Sequence, residues 1–196
     1  MVICKKVTSR VLAALNVFLY HFPSAWGGGG VRRFFYGYFL KYSGVKISFG
    51  DNIIIHGFKR ISIGDCCSFM SGSFLYANDG GVLNIGNNCS FNHNVLIGAA
   101  CGEILIGNNV LIDPNTVLRA ANHIYSDSEQ LIRLQGHKSG KIVVCDDVWI
   151  ASNVVVASGV TIGKGCVLGA GSVVVNDLPA YHMCAGIPAR PISKRS

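Results

Sequence analysis

The chain has few charged residues and no long hydrophobic run. Charged side chains make up 14% of its 196 residues. No uninterrupted apolar stretch approaches the roughly 18 residues needed to cross a bilayer, which argues against a transmembrane helix. No Pro/Ser-rich linker separates two comparable halves, so we expect one principal domain. The hydrophobic half of the composition and the 24 glycines favour many short strands joined by tight turns.

Acidic residues are absent from the first fifty positions, although cations are frequent there. Apolar runs at 11–20 and 34–40 lie between the cations, so this segment combines cationic and apolar surface as interfacial anchors do. A helical cap over the end of the main domain is an equally good interpretation. The run at 11–20 also loosely imitates a secretory signal peptide. The cations are Lys5, Lys6, Arg10, Arg32, Arg33, Lys41 and Lys46.

The eight cysteines form no CxxC pair and no metal-ligand spacing. Cys67, Cys89 and Cys166 fall on an inward-facing position of the repeat described next. We therefore predict reduced cysteines that pack in the core, with neither disulfides nor a metal. The others are Cys4, Cys66, Cys101, Cys145 and Cys184.

The strongest signal is an aliphatic or aromatic residue at every sixth position, with a small residue four places later. An amphipathic helix would return its apolar positions after three or four residues, so the unit is a short strand and a turn. Three units close a triangle, predicted to span eighteen residues, and stacked triangles pair parallel strands about 4.8 Å apart. The longest run is Ile150, Val156, Ile162, Leu168 and Val174. Earlier runs are Phe49 and Ile55; Ile63, Phe69 and Leu75; Ile85, Phe91 and Ile97; and Ile106, Ile112 and Leu118.

The six-residue period is interrupted between Leu118 and Ile150, a stretch that contains His123 and His137. We interpret residues 119–147 as an excursion from the coil. Long loops in compact domains usually carry function, so the excursion is a candidate part of an active site.

Three stretches carry a specific family resemblance: IGNNVLIDPNTVLRAANH at 106–123, DDVWIASNVVVASGVTIGKGCVLGAGSVVVNDLP at 146–179 and AGIPARPI at 185–192. They resemble the hexapeptide-repeat acyltransferases, in particular the sugar O-acetyltransferases of the maltose, galactoside and lipopolysaccharide type. The resemblance implies an all-β fold, a left-handed parallel β-helix over 44–179, with 1–43 as an N-terminal helical or irregular segment and 180–196 as a tail. Handedness rests on the resemblance alone, because parallel crossovers generally prefer the right hand.

Acetyl transfer to a hydroxyl needs a base for the hydroxyl proton and a donor for the carbonyl oxygen. The resemblance makes His123 the catalytic base; without it, a plain loop histidine would be the better interpretation. It also makes Asn92 an acceptor-side residue, where a turn amide is the alternative. Val175-Asn176 departs from the Thr-Lys that relatives often have. The cofactor-binding positions that the resemblance implies are Trp149, Ser152, Ala170, Val175, Asn176 and Arg190.

The resemblance further implies acetyl-CoA as acyl donor, a sugar or lipid-linked saccharide as acceptor, and a homotrimer with sites between neighbouring coils. We expect a cytoplasmic enzyme without nucleic-acid partners, with the inner face of the membrane as its location if the N-terminal segment is an anchor. Because acetyl-CoA is cytosolic, the signal-peptide interpretation is set aside. An amino-sugar N-acetyltransferase or serine O-acetyltransferase stays open. A γ-type carbonic anhydrase is disfavoured because Leu118 stands five residues before His123, where a zinc ligand is needed. A non-catalytic solenoid is the third alternative.

Overall fold

A computed structural model describes residues 14–15 and 17–195. Lys5, Lys6, Arg10 and Cys4 lie outside the described residues, as does part of the apolar run at 11–20. The described chain winds into a left-handed parallel β-helix with three faces, formed by sheets of six, eight and six strands. Short strands alternate between the faces along the chain, as the six-residue period predicts.

The strands of each face are hydrogen-bonded in the order of the coils. Face A contains β1 (Tyr42–Ser43), β4 (Ile61–Ile63), β7 (Val82–Ile85), β10 (Glu103–Ile106), β15 (Lys141–Val144) and β18 (Thr161–Ile162). Face B contains β2 (Ser48–Phe49), β5 (Ser68–Phe69), β8 (Ser90–Phe91), β11 (Leu111–Ile112), β16 (Trp149–Ile150), β19 (Val167–Leu168), β21 (His182–Gly186) and β22 (Ala189–Lys194). Face C contains β3 (Ile54–His56), β6 (Phe74–Tyr76), β9 (Leu96–Gly98), β12 (Val117–Arg119), β17 (Val155–Val156) and β20 (Val173–Val174).

The core is a set of stacked columns of the predicted periodic residues. On face B, the Phe69 ring stacks on Phe49 and on Phe91, with centroid distances of 5.3 and 4.6 Å. Cys67, Cys89 and Cys166 are buried as predicted, and every cysteine from Cys66 onward is free. All five members of the longest run are fully buried: Ile150, Val156, Ile162, Leu168 and Val174.

The tight corners use residues that tolerate positive φ. Asn88 and Asn109 have φ values of 62° and 57°, which is the left-handed region. These two close the recurrent Ile-Gly-Asn-Asn pattern. Asparagine is favoured there because its short polar side chain can hydrogen-bond locally in this conformation.

The early coils are longer than the predicted eighteen residues. Ile63 pairs with Ile85, 22 residues later, and Ile85 pairs with Ile106, 21 residues later. Only in the later part does the eighteen-residue spacing hold, as between Val144 and Ile162. The additional residues lie where the chain passes from face C to face A, which we call the C–A corner.

The boundaries of the β-helix differ from the predicted 44 and 179. It begins with β1, because Tyr42 and Ser43 pair with Ser62 and Ile63. It continues into β21, since Cys184 pairs with Leu168 and is fully buried. β22 then returns antiparallel to β21, so much of the predicted tail is strand.

A helix over Gly28–Phe39 covers the first coil, as the cap interpretation expects. Its buried residue Arg32 has an exposed fraction of 0% and an ion pair of 2.6 Å to Asp51. The Tyr36 hydroxyl donates to the carbonyl of Ile53 at 3.1 Å, and burial raises the Tyr36 pKa to about 12. Shorter helical structure precedes it at 17–21 and Ser24–Trp26. Within residues 14–15 and 17–195, no helix is long and apolar enough to cross a membrane.

Candidate active site

His123 lies on an arm that leaves the β-helix at the C–A corner after β12. Two short antiparallel strands form its base, β13 (Ala121–His123) and β14 (His137–Ser139). The backbone N–H of Gly140 donates to the carbonyl of Ala120 at 2.8 Å and closes the arm. We define the arm as residues 121–140. The predicted excursion of 119–147 was too long, because Lys141–Val144 is a strand of face A.

The imidazoles of His123 and His137 meet across the two strands of the arm. The two residues are direct partners in the register, and their ring centroids lie 4.2 Å apart at an angle of 39°. Both residues are exposed. The arm therefore presents a pair of imidazoles to solvent close to the coil, where an acceptor hydroxyl can reach them.

The outer part of the arm carries a compact polar network and an apolar surface. The Gln135 amide donates to the carbonyls of Asp127 and Gln130, both at 2.8 Å. These bonds hold the chain reversal without a regular hairpin turn. Four large hydrophobic side chains nevertheless remain exposed here, and we call them the arm tip: Tyr125, Leu131, Ile132 and Leu134.

A second group of predicted residues lies at the B–C corner, where the chain passes from face B to face C. Asn92 follows β8 there, and its side-chain oxygen accepts a bond from the N–H of His93 at 2.8 Å. Ser152 and Ala170 lie one residue further along the same turn, two and three coils later, and are equivalent to each other, one strand spacing of about 4.8 Å apart. Among the described residues, neither the Ser152 N–H nor the Ala170 N–H donates to a protein acceptor. Two parallel amides at this corner are thus available to oxygen atoms of a ligand.

Trp149 stands beside this corner on face B. Its exposed fraction is 45%, and its indole N–H donates to a carboxylate oxygen of Asp113 at 2.9 Å. The hydrogen bond fixes the indole plane against the coil below. Trp149 therefore offers an oriented apolar surface next to the free amides, as a residue lining a pantetheine channel would.

The two groups of residues lie at different corners of the prism. Asn92 and Ser152 lie at the B–C corner, whereas the arm with His123 leaves the C–A corner. Face C, with its strand β9 (Leu96–Gly98) on this coil, separates the two corners. No contact joins His123 to Asn92 or Ser152 within the described part of the chain. The predicted site residues of one chain thus form two separate groups.

Comparisons with known proteins identify the family. The model named Bacterial transferase hexapeptide (six repeats) matches residues 141–176. The Saccharomyces cerevisiae protein YJL218W, provisionally named an acetyltransferase, is 38% identical over 69% of this chain and 68% of its own length. This chain belongs to the hexapeptide-repeat acyltransferases. Galactoside O-acetyltransferase of Escherichia coli is similar too, at 39% identity over 60% of this chain and 57% of that enzyme. Among solved structures, a hexapeptide-repeat containing acetyltransferase of Vibrio cholerae has a TM-score of 0.62 and 26% identity, over 94% and 88% of the two chains.

The remaining cofactor-binding positions are dispersed. The resemblance to hexapeptide-repeat acyltransferases implies these positions. Val175 and Asn176 are exposed at the C–A corner, two coils beyond the arm. Arg190 is exposed on β22, where its guanidinium donates to the carbonyl of its neighbour Ala189 at 3.0 Å. Arg190 forms no ion pair with the described residues, so its charge is available to an anion.

The other residues weighed from the sequence have structural explanations. Leu118 is fully buried in β12 and points into the core, so its position is unsuited to a ligand for a metal beside His123. His93 is exposed on the coil, as expected, and its carbonyl accepts a bond from Asn115. A cavity of about 920 Å³ next to Tyr20, His56 and Phe58 contains none of the predicted site residues.

Two contacts in this region were missed by sequence reasoning. Asp113 orients Trp149, and its signal is the six-residue register: Leu111 and Trp149 pair, which brings the residues near them together. His137 meets His123 only through the antiparallel register of β13 and β14. Nothing in the sequence fixes that register, because the intervening residues form no two-residue turn.

Proposed function

We propose that the chain transfers the acetyl group of acetyl-CoA to a hydroxyl of a sugar. Membership of the hexapeptide-repeat acyltransferases supports acyl transfer, and the similarity to a galactoside O-acetyltransferase supports a sugar acceptor. The observation that carries the proposal is the exposed His123 imidazole at the base of the arm. An exposed imidazole that a hydroxyl can reach is suited to take its proton.

In the proposed reaction, acceptor and thioester react directly in a ternary complex. His123 removes the proton of the acceptor hydroxyl while the hydroxyl oxygen bonds to the thioester carbonyl carbon. The N–H of Ser152 then stabilises the negative oxygen of the tetrahedral intermediate. Collapse breaks the carbon–sulfur bond, and the imidazolium returns its proton to the CoA thiolate. Asn92 holds the acceptor hydroxyl, and Trp149 lines the pantetheine channel.

We infer that the complete site lies between two chains of a homotrimer. His123 and Ser152 must both reach the reacting atoms, yet they lie at different corners of one chain. A neighbouring copy that brings its arm to the B–C corner supplies the missing half. The exposed apolar arm tip supports this arrangement, because such a surface gains stability when a second copy covers it. Ala170, Val175, Asn176 and Arg190 then line the cleft along which CoA extends.

We further propose that the acceptor is a saccharide of a bacterial surface polysaccharide, or its lipid-linked precursor, at the inner face of the membrane. The helix Gly28–Phe39 buries Arg32 and Tyr36 but exposes Phe34 and Tyr38, with exposed fractions of 71% and 80%. Trp26 next to it is 76% exposed. Exposed aromatic side chains near Arg33 and Lys41 suit the interface of an anionic membrane.

The proposal is tested by following CoA thiol release from acetyl-CoA with a panel of acceptors. The panel contains galactosides, lipid-linked saccharides in vesicles, amino sugars and serine. His123→Ala should lower kcat/KM at least about 100-fold, as expected when a general base is lost. His21→Ala is the matched control, since His21 is also exposed but lies in the N-terminal cap, away from the arm and from the B–C corner.

The panel decides which acceptor is acetylated, and the variant decides whether His123 takes part. Turnover with a saccharide hydroxyl supports it, and a preference for the vesicle-bound acceptor supports the membrane location. Turnover only with amino sugars or serine would assign the acceptor to an amine or an amino acid instead. Full activity of His123→Ala would remove His123 from the mechanism.

A further inference from the structure

His137 lies opposite His123 in the closely spaced type of cross-strand pair. The N–H of Ile124 donates to the carbonyl of Gly136 at 3.0 Å, so those two residues form the hydrogen-bonded pair beside it. In an antiparallel ladder the next pair is not hydrogen-bonded, and its side chains approach more closely. The centroid distance of 4.2 Å between the imidazoles follows from this register.

The contact with His137 is the only ring interaction that fixes the His123 imidazole within the described residues. Neither imidazole exchanges a hydrogen bond with a described protein group. The contrast is His182, whose Nδ1 lies 2.8 Å from the carbonyl oxygen of Ala180. An exposed side chain without such a bond samples several rotamers. A base must instead hold one orientation within hydrogen-bond reach of its proton.

The strand that carries His137 is itself held at both ends. Gly136 precedes it with a φ of 84°, a conformation that glycine adopts without strain. Gln135 is fixed by its amide bonds to the carbonyls of Asp127 and Gln130. Gly140 follows the strand, and its backbone N–H donates to the carbonyl of Ala120 at the coil. The His137 ring therefore has a defined place from which to restrict its neighbour.

We propose that His137 is a positioning residue that holds the imidazole of His123 by ring-to-ring packing. This inference rests on the proposed function of His123 as base. It assigns His137 no proton transfer and no contact with acetyl-CoA. The site requires an aromatic ring at position 137, and that ring need not be an imidazole.

Substitutions at position 137 separate the ring contact from imidazole chemistry. His137→Ala removes the ring and should lower kcat about 10-fold, because a misplaced catalytic group costs rate. KM for acetyl-CoA should stay within about twofold, since the cofactor residues are untouched. His137→Phe keeps an aromatic partner and should recover kcat to within about threefold of the wild type. Lys138→Ala, the neighbouring exposed position on the same strand, is the control for general disturbance of the arm.

Two results would overturn the inference. One is equal loss in His137→Phe and His137→Ala, which would mean that the imidazole itself is needed. The other is a further loss on adding His137→Ala to His123→Ala, because a positioning residue has no effect once the base is gone. Melting temperatures equal to that of the wild type would show that a loss of rate is not due to unfolding of the variants.

A measurement without turnover separates failure of this inference from failure of the proposed function. In protein with labelled histidines, nuclear Overhauser effects should connect the His123 and His137 ring protons. His137→Phe should preserve a ring contact to His123, while His137→Ala should abolish it. If the ring contact is seen but no acceptor is acetylated, the proposed function fails and the contact stands. If acetylation occurs without the ring contact, His137 has no positioning role.

Discussion

The free backbone amide of Ser152 is a feature that a single substitution can test. Its position on the coil is equivalent to that of Pro114 one coil earlier, because Ile112 and Ile150 pair in register. Pro114 shows that this corner accepts a residue without an N–H. The side chain and the amide of Ser152 can therefore be altered separately.

Ser152→Pro should lower kcat about 100-fold and leave the fold intact, because it removes the donor for the tetrahedral oxygen and nothing else at this corner needs that N–H. The measurement is kcat for thiol release together with the melting temperature. Ser152→Ala is the paired variant and should lose little, since it retains the N–H. Equal losses in both variants would assign the role to the hydroxyl.

At the residue scale, sequence reasoning assigned Asn92 and Ser152 to the coil and His123 to the point where the chain leaves it, but it did not show that they lie at different corners. Their positions follow from the six-residue register, which is local and periodic. The role of Asp113 was also within reach, because the same register brings it close to Trp149. His137 was out of reach, since its pairing with His123 depends on an irregular thirteen-residue connection.

The N-terminal cap depends on one buried cation. The Arg32 guanidinium donates to the carbonyls of Leu19 and Phe22 and to the carboxylate of Asp51. The hydroxyl of Ser24 also donates to Asp51, at 2.7 Å. These bonds, first that of Ser24 and then those of Arg32, hold the pKa of Asp51 below its ordinary value of 3.8.

The depressed pKa of Asp51 predicts how the cap responds to acid. A carboxyl whose pKa is lower in the folded state stabilises the fold above its unfolded pKa, and the gain is lost as pH falls through the folded pKa. Asp51→Asn should thus melt roughly 2–4 °C lower than the wild type at pH 7. The difference should narrow below pH 3.8 and disappear once Asp51 is protonated.

Thermal melts of both proteins from pH 7 to pH 2.5 check this expectation. Asp79→Asn is the control, because Asp79 forms no hydrogen bond or ion pair with the described residues and its positive φ of 51° accepts asparagine. A pH-independent difference between wild type and Asp51→Asn would contradict the linkage.

At the element scale, the six-residue period predicted the short strands of the coil but not the corners at which additional residues lengthen a coil beyond eighteen. The period continues back from Ile150 to Val144, with buried Val148 four places after Val144, so the return of the chain to the coil could have been read from the sequence. The long C–A corners could not, because residues such as those at 77–81 have no repeat of their own. The helix Gly28–Phe39 caps the coil with one side, as the cap interpretation predicts, and exposes aromatic rings on the other.

At the scale of the whole molecule, face C bears on how copies associate. Its outward positions form an apolar column from the first coil to the last: Ile54, Phe74, Leu96, Val117, Val155 and Val173. The arm leaves one edge of this face, and the Ser152 corner forms the other. Copies arranged around a three-fold axis can cover the apolar column and bring the arm of one chain to the Ser152 corner of the next.

The shared site predicts complementation between two inactive chains. His123→Ala and Asn92→Ala should each be inactive alone, because each removes one half of every site. In trimers assembled from both variants by co-expression, about a quarter of the sites combine an intact His123 from one copy with an intact Asn92 from its neighbour. Co-expression of the two variants in equal amounts should therefore recover about a quarter of wild-type kcat per chain, averaged over all assembled trimers and measured by thiol release, while separately purified variants mixed without subunit exchange stay inactive. If the two residues served the same site from one chain, no mixed trimer could contain an intact site, because every chain would lack one of them.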